Sequence, residues 1–266
     1  MTRALRAADI VGAWTLLMGD WVLTVLGLAG RSLAAAPQCL HGPMQAEFTR
    51  MLRMALPGCL RAATIVAVLV GATLVAQGLY WIEFTGQRNL LETLLVDVLT
   101  RQLAPVLAVL VLLLRVGTQN LVELGAIRGG PAWRGLHSRG LNPWILFAAP
   151  RALAAGLAGA TLAVLIVAVA GVGGHVYASL SGSSTFAPGV LMDAFLRGMT
   201  LADYLLLSVK SALMAFLAML ATALVAMGSR TMAQDPARLM PRGVAAGAGA
   251  ALAGALLVGL VGALLP

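Results

Sequence analysis

The chain has 266 residues, 60% of them hydrophobic and 11% charged, and its mean hydropathy is +0.93. A soluble domain carries roughly 25% charged residues, so this chain belongs mostly in lipid, with little left for a soluble domain. The net charge of +8 does not call for nucleic acid, because the arginines flank apolar runs, where the preference of basic loops for the cytoplasmic side accounts for them.

At about 20 residues per span, four or five helices use most of the length. The expected fold is all-α: an N-terminal interfacial helix and about five transmembrane helices, with a cytoplasmic coupling segment between the second and third. Residues 1–266 read as one transmembrane domain, with an N-terminal region over 1–60 and a bundle over 62–266.

Residues 10–30 are apolar enough to span but contain Asp20. Arg3 and Arg6 before them and Ala34-Ala35-Ala36 after them imitate a secretory leader. A full span would put Arg31, Arg50, Arg53 and Arg61 outside, against the charge rule. A helix lying in the inner interface, with Trp14 and Trp21 at headgroup level, avoids that conflict.

Residues 62–82 form the first clear span, with Arg61 at one end and Tyr80-Trp81 as an aromatic anchor at the other. Residues 83–100 carry Glu83, Arg88, Glu92 and Asp97 among leucines, which suits a helix near the outer surface. It dips back and continues past Pro105 as the second span. Pro105 predicts a kink, tolerated because neighbouring helices can satisfy the carbonyl it frees. Asp97 and Arg101 stand four apart with the acid first, the favourable order for an intrahelical pair.

The segment after Arg115 is polar and Gly-rich and carries Glu123, Arg128, Trp133, Arg134 and Arg139. The third span, about 151–178, is expected to end at the Gly171-Val-Gly-Gly174 break. An outer loop covers 179–200, and the fourth span covers roughly 203–228, with Lys210 able to snorkel outward. The last span, 243–265, repeats small residues every four positions: Gly243, Gly247, Ala251, Ala255 and Gly259. Such a stripe lets helix backbones approach closely in lipid, although an Ala-rich composition also produces it. This order puts the N-terminus in the cytoplasm and the C-terminus outside.

Cys39 and Cys59 fit no metal spacing or disulfide framework, and His41, His137 and His175 are far apart. There is no metal constellation and no phosphate-binding Gly-rich loop of the GxxxxGK[ST] type; the single lysine, Lys210, follows Leu-Leu-Leu-Ser-Val. The chain is therefore not expected to be an enzyme. If ATP and Mg drive it, a separate subunit holds them.

An ordered set of short pieces runs through the middle of the chain. It comprises Arg101-Gln102-Leu103-Ala104-Pro105, Arg115-Val116-Gly117, Glu123-Leu124-Gly125, Arg128, Asn142-Pro143 and Pro150-Arg151. Gln77-Gly78 lies before it, and Lys210-Ser211, Arg238 and Arg242 lie after it. In this order the pieces resemble the MlaE/YrbE permeases of bacterial lipid-transport ABC systems. The chain departs from that pattern at Gln102, where the family has Glu, at Ala104, where it has Gly, and at Gly130-Pro131-Ala132, where it has Thr-Glu-Gln.

The resemblance implies a homodimeric permease in the bacterial inner membrane. Its expected partners are a cytoplasmic ABC ATPase and a periplasmic MCE-domain protein, its expected cargo is a phospholipid, and no nucleic acid is involved. Arg101 and Gln102, with Tyr80, Trp81 and Asp97 nearby, become candidate lipid contacts, since guanidinium suits phosphate. Residues alone favour Arg101 acting only as the partner of Asp97. Glu123, Arg128, Trp133, Arg134 and Arg139 become the candidate ATPase-coupling segment, with a solvated basic loop as the other reading. Two other functions remain open: a structural half-transporter paired with a sister permease, and a secondary transporter or channel, which the acid-poor spans disfavour.

Overall fold

The computed structural model describes residues 19–40, 42–85, 97–140, 142–181, 200–228 and 236–264. These residues are almost entirely helical, and no strand occurs among them. Helix α1 covers residues 19–34, and a short 3-10 turn follows at Ala36–Leu40. Helix α2 is Pro43–Thr85, α3 is Val98–Gly129, α4 is Pro131–Ser138 and α5 is Pro143–Leu180. Helices α6, Leu201–Met227, and α7, Pro236–Leu264, complete the order. Five helices (α2, α3, α5, α6 and α7) are long and apolar enough to cross a membrane.

Helix α5 is the spine, with α2 along one side and α6 along another; α7 packs on α6, and α3 lies over the groove between α5 and α6. The α2–α5 crossing is close because a Cβ on Gly71 would overlap the Ala170 carbonyl, and one on Gly173 would lie 2.8 Å from the Val68 oxygen. With no water to expel between helices in lipid, such backbone contact supplies much of the packing energy. This corrects the expected break at Gly171–Gly174. The glycines serve a crossing, and α5 continues to Leu180.

Helix α2 also differs from expectation. It starts at Pro43, just after Gly42 with φ 70°, and runs unbroken through the arginines that were placed before the first span. Its 43 residues make a rod of about 64 Å, twice the roughly 30 Å hydrocarbon thickness, so its N-terminal turns extend beyond the apolar layer. Of the expected N-terminal helix over 10–30, residues 19–30 are described. Val25 and Ala29 of α1 pack on the core, while Leu23, Leu26 and Leu33 are exposed. The expected outer segment lies outside the described residues over 86–96, as does the loop over 182–199.

Candidate functional site

Among the described residues Arg151 is the largest fully buried side chain, 2% exposed near the start of an apolar helix. An unpaired guanidinium there would cost several kcal/mol, roughly. Its Nε donates to Glu47 Oε1 at 2.7 Å, and its Nη2 contacts the same oxygen. Its Nη1 donates to Asn120 Oδ1 at 2.9 Å and lies 3.2 Å from Glu123 Oε2. Arg50 closes the group through Glu123 at 2.8 Å. Asn120 Nδ2 then reaches Met219 Sδ and Thr222 Oγ1. Two arginines and two glutamates thus tie α2, α3 and α5 together with no net charge, and Asn120 joins α6 to them. Glu123, a candidate coupling residue, is committed to this clasp.

At the opposite end, α3 opens with a π-helical turn, Val98–Leu103, and carries a second at Leu113–Gly117. Single π turns inside α-helices are rare and concentrate at functional sites. Pro105 follows the first turn and has no N–H to offer the Arg101 carbonyl. Lys210 Nζ of α6 donates to that carbonyl instead, at 2.6 Å. Lys210 therefore does not snorkel outward; it satisfies the acceptor that proline frees.

The turn displays Arg101, whose Nε pairs with Asp97 at 2.8 Å and whose Nη2 lies 3.5 Å from Asp203 Oδ1. Asp203 is fixed by a capping box, accepting from the Thr200 N–H at 3.0 Å and the Thr200 hydroxyl at 2.7 Å. A cavity of about 250 Å³ opens here between α3, α6 and α7, bounded by Arg101, Gln102, Asp203, Lys210, Val258 and Gly259. Asp97 adjoins it through Arg101. Tyr80 and Trp81 sit edge to face at 6.2 Å on the exposed surface of α2 and are not part of its lining. Asp203 was not singled out from sequence, although the Thr-x-x-Asp spacing at 200–203 is the capping signature that marks it.

The coupling candidates divide. Trp133, expected to anchor a partner, is only 7% exposed. It meets Trp144 edge to face at 6.1 Å, with the Arg128 guanidinium 4.3 Å from its ring centre. Folding α4 back onto the start of α5 spends this indole on internal packing. Arg134 and Arg139 remain exposed.

The small-residue stripe of α7 also divides. A side chain on Gly243 would collide with Leu121, and one on Gly247 would meet Leu113, Thr222 and the Ala218 carbonyl. Ala251 is buried and Ala255 packs against the core. Gly259 has nothing within 4 Å of its missing Cβ and lies at the cavity. Among the described residues no cluster of His, Cys, Asp or Glu could hold a metal ion.

An all-α bundle with five apolar rods, a charge-neutral clasp at one end and a polar cavity at the other is a multi-pass membrane protein. The chain belongs to the MlaE permease family: the family described as Permease MlaE matches residues 48–262, which reaches into all five long helices. Its role is that of an ABC-type permease, a transport subunit. Among curated proteins, none matches the chain in sequence.

Proposed function

We propose that this permease moves phospholipid between the bacterial inner membrane and a periplasmic MCE protein. The observation that carries the reading is the cavity at Arg101, at the end of the bundle away from the arginine-rich one, in a chain of the MlaE family. The arginine-rich end, with Arg50, Arg53, Arg128, Arg134 and Arg139, is the cytoplasmic one by the charge rule. The cavity then opens toward the periplasm, with the N-terminus inside and α1 lying in the inner interface.

In this reading Arg101 takes the lipid phosphate, Gln102 and Lys210 border it, and Asp97 and Asp203 orient the guanidinium. Tyr80 and Trp81 stand at headgroup depth on the approach. A cytoplasmic ATPase, which holds ATP and Mg, docks at α4 through Arg134 and Arg139. Its closure rocks two copies of this chain and expels the lipid toward the MCE protein. This chain supplies shape and binding while hydrolysis occurs in the partner.

The test is purification of the assembled complex with subunit counting and lipid extraction. Two copies of this chain, an ATPase, an MCE protein and bound phospholipid are expected. One copy beside a different permease would make it the half-transporter. Absence of both ATPase and lipid would overturn the proposal.

A further inference from the structure

The cavity at Arg101 carries both signs of charge, and the two signs stand side by side. Among its described lining residues Arg101 and Lys210 are the cations and Asp203 is the only acid. Asp97 adjoins through Arg101, so two cations and two carboxylates balance. Gln102, on the same lining, adds an amide but no charge.

The pairings leave capacity on one cation and on one acid. Lys210 Nζ is committed to the Arg101 carbonyl at 2.6 Å. The Arg101 guanidinium uses its Nε on Asp97, and among the described residues nothing takes its Nη1. Asp203 uses Oδ2 on the Thr200 N–H and hydroxyl. Its Oδ1 has, among the described residues, only the 3.5 Å contact with Arg101 Nη2. That distance is beyond a good hydrogen bond. A carboxylate oxygen held in place by a capping box yet poorly satisfied favours a cation that can donate N–H bonds. Leu206, Leu207 and Val258 complete the wall, and the low dielectric they create strengthens such a pairing.

We propose that this cavity selects phospholipids whose headgroup carries a primary ammonium, of the phosphatidylethanolamine type. The selection rests on the reading that Arg101 takes the lipid phosphate. In an ethanolamine headgroup the ammonium lies two carbons beyond the phosphate ester oxygen, and Asp203 stands one contact beyond Arg101. Phosphate on Arg101 Nη1 and ammonium on Asp203 Oδ1 then run antiparallel to the protein's own ion pair. Each charge gains a neighbour of opposite sign, and the Gln102 amide oxygen offers the ammonium a second acceptor. Choline brings the same charge but no N–H, and its methyl groups hold it off the carboxylate. Phosphatidylglycerol brings a phosphate with no cation, which adds net negative charge beside two carboxylates.

Native mass spectrometry of the full-length protein, in the assembly it keeps in detergent, tests this with lipids of identical acyl chains. The series is phosphatidylethanolamine, its monomethyl and dimethyl derivatives, phosphatidylcholine and phosphatidylglycerol. Phosphatidylethanolamine should bind about tenfold more tightly than phosphatidylcholine or phosphatidylglycerol, the order of one charge-assisted hydrogen bond. Affinity should fall along the methyl series, most at the loss of the last N–H, a readout that needs no variant. Asp203→Asn keeps an acceptor for Thr200 but removes the charge, and should bring the preference over phosphatidylcholine close to one. Arg101→Ala should weaken every member of the series together.

Equal affinity along the methyl series, or a preference that survives Asp203→Asn, would overturn the headgroup selection and leave the cargo reading standing. Phosphatidylglycerol as the tightest ligand would overturn it in the same way. Affinities untouched by Arg101→Ala would place the lipid elsewhere on the chain and remove the cargo reading together with this selection.

Discussion

The two ends of the bundle use the same chemistry, arginine facing carboxylate, in opposite ways. At one end Arg151 is 2% exposed and bound by Glu47 of α2 and by Asn120 and Glu123 of α3. At the other, Arg101 is 55% exposed, holds Asp97 and Asp203 at its edges and borders a cavity. A buried guanidinium cannot lose its partners cheaply, so Arg151 fixes helix positions. A hydrated pair is worth little and can exchange one partner for another. The clasp keeps the bundle in one arrangement while the open end stays free to bind.

The comparison can be broken by substitution, and the largest effect belongs to the clasp. Arg151→Met should destabilise the purified protein by about 3–5 kcal/mol, because two carboxylates lose their buried partner. An unchanged thermal midpoint in detergent would show that Glu47 and Glu123 do not depend on it.

Next comes α7, packed at one end and open at the other. Gly247→Val should cost about 1–3 kcal/mol through overpacking, since the Ala218 carbonyl and Thr222 cannot both retreat. Gly259→Ala should be silent in the same melting assay. Equal effects would erase the asymmetry between the two halves of the stripe.

Lys210→Met leaves the Arg101 carbonyl without its donor, a loss of about 1–3 kcal/mol. It should also reduce copurified phospholipid by disordering the turn that displays Arg101. Full lipid occupancy in this variant would show that the π turn holds itself.

The smallest stability change is expected for Arg101→Ala, about 0–1 kcal/mol for an exposed pair, together with a clear fall in bound phospholipid. If the double substitution of Asp97 and Arg101 by Ala keeps every lipid, the open cluster is structural and the contrast between the ends disappears.

Much of this arrangement is legible in the sequence where a local rule applies. Apolar length gives the five spans. The acid-first spacing gives the Asp97–Arg101 pair, and Pro105 signals a carbonyl in need of a neighbour. What the sequence does not state is which neighbour, because Lys210 lies 109 residues away.

Arg151 shows the same limit more sharply. In the sequence it marks the start of a span, and only the packing of α2 and α3 against α5 turns it into a buried hub. The available signal was scarcity: with ten acidic residues in the chain, an arginine in apolar sequence has few possible partners. Gly171–Gly174 misled because glycine reads equally as a helix end or as a crossing point. Trp133 misled because an indole among arginines suits an external interface and an internal one alike.

The clasp also bears on how the chain is built. Glu47 precedes Arg151 by 104 residues, and Glu123 lies between them in the sequence. During synthesis both carboxylates are made before the arginine that neutralises them, with Arg50 as their only cation within the group. When α5 emerges, its guanidinium meets acids already in position, so the third span is drawn into register by charge as well as by apolar length.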